Sequence, residues 1–155
     1  MVGVALLVLF GLGSLAVVRL VGFSIGRIAL GFVGVLVVGA ACGVPGAICW
    51  ALNIAGSASG ASPMPAWPTI LFLVGSAAGA LAGLLTTERL IYRSRFQAWA
   101  YLTALAGIGI GAAVSFFALL LTQESPWGEQ AWLILSPLAV AAATVAGYSL
   151  KAVKT

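Results

Sequence analysis

Histidine and aspartate are absent from this sequence, and the acids are three glutamates, Glu88, Glu124 and Glu129. Without histidine there is no axial ligand for a haem, no imidazole for a zinc site and no Ser-His-Asp triad. Charge of any kind is scarce: 6% of residues are charged, against roughly a quarter in soluble domains. None of the glutamates falls inside an apolar run, so the sequence offers no proton relay or ion-coupled carrier, both of which need an ionisable group within the membrane. The expectation is a non-enzyme without a metal. No cofactor beyond lipid is expected, although a pigment held by a backbone carbonyl or a bound water stays open. Cysteine is also rare. Cys42 and Cys49 stand seven apart in one apolar run, about 10 Å along a helix axis, too far for a mutual disulfide. They read as packing thiols.

What fills the chain instead is apolar: 63% of its 155 residues are hydrophobic and the mean hydropathy is +1.19. A bilayer core about 30 Å thick needs about 20 such residues per helix. The runs predict an all-α, polytopic membrane bundle with five spans, at about residues 2–18, 28–52, 68–86, 98–122 and 131–150, forming a single transmembrane domain. The first run is short, and a re-entrant N-terminus would leave four. It lacks the basic start of a secretory signal, which keeps it in the expected bundle.

The few charges then orient the chain. Arg19 and Arg27 bracket the first turn, Arg89, Arg93 and Arg95 follow the third span, and Lys151 and Lys154 form the tail. With alternating spans all of them fall on one side, which the positive-inside rule makes cytoplasmic. The N-terminus is then outside and the C-terminus inside. Trp50, Trp67, Trp127 and Trp132 would mark the outer interface, and Tyr92, Trp99, Tyr101 and Tyr148 the inner one. The membrane is a bacterial plasma membrane or a thylakoid-like one. Seven bases on turns and a tail are an orientation signal, so no nucleic acid is expected as a partner.

Small residues recur every four positions: Gly75, Gly79 and Gly83 on the third span, Gly39 and Gly43 on the second, Gly107 and Gly111 on the fourth. On a helix that spacing makes a smooth ridge where another backbone comes close, within the chain or on a partner. Pro45 stands inside the second span, where it removes a helix hydrogen bond and predicts a kink, a candidate hinge. The stretch from Asn53 to Trp67, with Ser57, Ser59 and Ser62, reads as a flexible outer loop. Glu88 reads as a solvated helix-end charge, or as a pair with Arg89, Arg93 or a partner's arginine. Arg89, Arg93 and Arg95 are candidate contacts for anionic lipid.

Two function classes follow. The first is a small accessory subunit that packs its small-residue faces against a larger membrane complex, respiratory or photosynthetic, and supports its assembly. The second is a homo-oligomeric channel or transporter for a small neutral solute. Ser76, Ser115 and Thr144 on one shared interior face would favour the second. Sparse polar residues in the spans favour the first.

Overall fold

The computed structural model describes residues 1–57, 66–122 and 126–152, with the backbone alone for 54–57 and 126–129. Ser59, Ser62, Glu124 and Lys154 lie outside the described residues, as do the side chains of Ser57, Trp127 and Glu129. The described residues form α1 (Val2–Leu20), α2 (Ile25–Ser57), α3 (Trp67–Thr86), α4 (Ala98–Thr122) and α5 (Pro126–Lys151). All five contain a segment long and apolar enough to cross a membrane. The expected all-α, multi-span class therefore holds. It includes the short first helix, whose 19 residues reach about 28 Å at 1.5 Å per residue.

Several boundaries differ from expectation: α2 runs on to Ser57, into the stretch expected as the outer loop, and α5 begins at Pro126, ahead of 131. Two features bear on function, the start of α2 and the continuation after α3. Helix α2 begins at Ile25, not near Ile28, because the Ser24 hydroxyl accepts the Arg27 backbone N–H at 3.3 Å. This is the usual way a serine starts a helix. Arg27 is thereby inside the first turn of α2 instead of in the loop before it. Helix α3 ends at Thr86 as expected, but a π turn, Thr87–Ile91, carries helical backbone onward, closed by the Tyr92 N–H donating to the Thr87 carbonyl at 3.4 Å. Gly22 reverses the chain between α1 and α2 with φ 87°, a conformation that costs a side chain dearly and glycine little.

Helices α2 and α3 pack as one hairpin and α4 and α5 as another, while α1 lies against α5 and α4. Helix α5 is central: 56% of its spanning window is buried, against 17% for α1. One apolar core draws on all five helices through Val18, Val35, Leu84, Ala104 and Val145, with Phe23 beside them. A second, Leu7 with Ala118 and Ala139, belongs to α1, α4 and α5 alone. The α2–α3 hairpin is thus joined to the rest at one end of the bundle. Towards the other end its contacts are chiefly its own.

Pro45 does not break α2, which runs through it to Ser57. Two of the aromatics expected at the interfaces also pack within the bundle. Tyr148 is 1% exposed, and the Trp132 indole donates to the Ser115 carbonyl across α4 and α5. Trp50, Trp67 and Trp99 are exposed.

Candidate functional site

The π turn and the early start of α2 bring together two charges that are 61 residues apart. Arg27 Nε donates to Glu88 Oε1 at 3.0 Å and to Oε2 at 3.1 Å, and Nη2 also donates to Oε2. The side chains are 12% and 2% exposed. Burying a lone carboxylate or guanidinium is prohibitively unfavourable, so each ion is tolerable because the other faces it side-on and the remaining sites are filled.

Further groups reach the pair from three directions. Arg93 adopts φ 49°, the left-handed position that usually follows a helix end and usually belongs to glycine. This turns Ser94 back over the π turn, where its N–H donates to the Glu88 carbonyl at 2.9 Å. The Ser94 hydroxyl shares its proton between that carbonyl at 2.9 Å and Oε2 at 3.2 Å. The Tyr148 hydroxyl reaches Oε2 from α5 at 3.5 Å. On the arginine side, the guanidinium carbon lies 4.4 Å from the Phe23 ring centre and 5.3 Å from that of Tyr92, close enough for cation–π attraction. Tyr148 meets Phe23 edge-on and packs against Tyr101. The cluster therefore ties together α2, the end of α3, the connector to α4 and α5. Its paired charges and the hydroxyls on Oε2 hold these elements in position.

Glu88 is therefore neither the solvated helix-end charge expected from the sequence nor a contact open to lipid or partner. Its pairing is with Arg27, not Arg89 or Arg93. A signal for this was present. Gly79, Gly83 and Thr87, with Ala80, Leu84 and Glu88 beside them, are all buried, so the four-residue ridge continues straight into the acid. Arg27, Ser94 and Tyr148 carried no comparable mark.

The ridges themselves face helices of the same chain. A Cβ at Gly79 would lie 2.6 Å from Cys42 Cβ and from the Val38 carbonyl; one at Gly75 would lie 2.6 Å from the Cys42 carbonyl; one at Gly83 would overlap the Gly34 carbonyl. Gly39 lies against Ser76 and Ala80, and Gly43 against Ser76 and Phe72. Gly107 and Gly111 meet Ala143 and Val140 of α5. Beside the Gly34–Gly83 contact, the Thr87 hydroxyl donates to the Gly83 carbonyl at 3.0 Å and contacts the Leu30 carbonyl at 3.5 Å. Both cysteines are free thiols, Cys42 being part of this packing.

Ser76, Ser115 and Thr144 do not share one helix interface. Ser76 sits between α2 and α3, the Thr144 hydroxyl donates to the Val140 carbonyl of its own helix at 2.7 Å, and Ser115 Oγ is buried without a hydrogen-bond partner among the described residues. Pro45 is exposed on α2. Arg89 lies over the Phe96 ring, 5.5 Å from its centre, and Arg95 lines a surface groove with Lys151. Among the described residues no group of three or more His, Cys, Asp or Glu could hold a metal. Comparisons with family models, with curated proteins and with solved structures return no match.

Proposed function

We propose that the chain is a non-catalytic integral membrane subunit that associates with a larger membrane complex and supports its assembly or stability. The observation that carries this reading is the free-standing half of the α2–α3 hairpin. From Ile70 to Val74 every residue of α3 is exposed, as are Val44, Ile48, Trp50 and Leu52 of α2, and the apolar core of that end excludes both helices. Such a two-helix arm presents a large, uniformly apolar surface, while the small-residue ridges are already occupied inside the chain. The partner face is accordingly the outward Leu and Phe surface of the arm, not the glycine ridges. The competing channel reading needs the three hydroxyls on one shared face, and Ser76 lies between α2 and α3, apart from Ser115 and Thr144 between α4 and α5.

A photo-cross-linking residue at Leu73, followed by blue native electrophoresis of gently solubilised membranes, tests the reading. Expected is a cross-link to a defined subunit of a complex much larger than 15.6 kDa. Migration as a small homo-oligomer, with cross-links between copies, would replace the accessory reading by the channel one.

We also propose an external N-terminus and a cytoplasmic C-terminus. In support, Arg27, Glu88 and Tyr148 meet in one cluster, and Arg95 and Lys151 line one groove, so these basic residues lie at one end of the bundle. A reporter fused after Thr155 is expected to read cytoplasmic; an external signal would invert the topology.

A further inference from the structure

The groove at the basic end is lined by Arg95, Phe96, Gln97, Trp99, Thr103 and Lys151. It brings together a connector cation and one from the end of α5, with Arg89 over the Phe96 ring beside them. Neither Arg95 nor Lys151 has an acidic partner among the described residues, since Glu88 pairs with Arg27. Among the described residues the groove therefore gathers positive charge around a concave surface without an acidic side chain to meet it.

Depth in the membrane decides what that anion is. Trp99 is the second residue of the span Ala98–Thr122 and Lys151 the last of Gln130–Lys151. The groove thus opens where both helices leave the apolar slab, and Trp99, 75% exposed, is the residue type that settles at headgroup level. Below it the outward face of α4 continues with exposed Leu102 and Leu105, a surface for an acyl chain. We infer that this groove binds an anionic phospholipid, its phosphate held between Arg95 and Lys151 and its chain laid along α4. The ligand chemistry is a phosphate ester, and the position at the edge of two spans selects a lipid over a soluble phosphate.

The test uses the full chain in detergent, with native mass spectrometry of bound phosphatidylglycerol and phosphatidylcholine. The wild type is expected to retain phosphatidylglycerol selectively. Each cation near an anionic lipid is worth about fivefold in affinity, so the Arg95→Gln, Lys151→Gln double variant should bind about 30-fold more weakly. The charge-conserving Arg95→Lys, Lys151→Arg pair should restore most of it, and Arg19→Gln should leave retention unchanged. Equal retention by wild type and the Gln double variant would overturn the site. Displacement of the lipid by millimolar inorganic phosphate would overturn the lipid assignment and make the groove a site for a soluble phosphate ester.

Discussion

Replacing Arg27 with methionine will lower the unfolding temperature in detergent by on the order of 10 °C, while replacing Arg27 and Glu88 together with methionine will restore most or all of it. The single change leaves a carboxylate that is 2% exposed with hydroxyls but no cation. Breaking a buried pair from one side typically costs about 3–5 kcal/mol, whereas exchanging both partners for apolar side chains of similar volume is often neutral or stabilising. The conversion to temperature uses about 2–4 °C per kcal/mol for chains of this size. Phe23 and Tyr92, which flank the guidinium group in the native chain, would pack equally well on a thioether. Thermal unfolding followed by fluorescence-detected size exclusion separates the cases. A single variant as stable as wild type would show that the buried charge is not the constraint. A double variant as weak as the single one would show that the pair contributes more than its own neutralisation.

The class of fold was legible because membrane spans are long apolar runs and hydropathy reads those directly. The small-residue ridges were legible as surfaces, but a ridge carries no address. Gly79 could have met any backbone, and that it meets Val38 and Cys42 follows from the hairpin packing of neighbouring helices. The ion pair was hidden by the same rule that revealed the spans. Treating every charge as the end of a helix placed Arg27 in a turn and Glu88 in solvent. In fact Ser24 starts α2 ahead of the arginine, and a π turn takes α3 past the glutamate. Local capping and an irregular turn decided both, and neither leaves a mark in a hydropathy profile. Tyr148 illustrates the converse. An amphipathic side chain near a span end suits an aromatic belt, but this one is turned inward because an acid at that depth needs a donor.

The second large effect is expected at Gly83, and it is linked to the first. Gly83→Ala places a methyl group against the Gly34 carbonyl oxygen, a backbone atom that cannot rotate away, so α2 and α3 must separate. Overpacking of this kind costs about 1–3 kcal/mol when side chains can yield and more when they cannot, and about 3 kcal/mol or more is expected. Gly109→Ala is the control. It has nothing within 4 Å and should be neutral or stabilising by up to about 1 kcal/mol through lower chain entropy. Equal stabilities for the two variants would contradict the α2–α3 contact. Gly83 lies five residues before Glu88, and the intervening Thr87 touches the Leu30 carbonyl at 3.5 Å. A widened gap at Gly83 therefore also pulls the carboxylate from Arg27. The losses from Gly83→Ala and Arg27→Met should then not add. The double variant is expected to be more stable than the sum by about 1 kcal/mol or more, within the range for sites sharing a network. Strict additivity would mean that the ion pair holds its geometry independently of helix spacing. Its role would then be to anchor the connector and α5, not to hold the two halves of the hairpin in register.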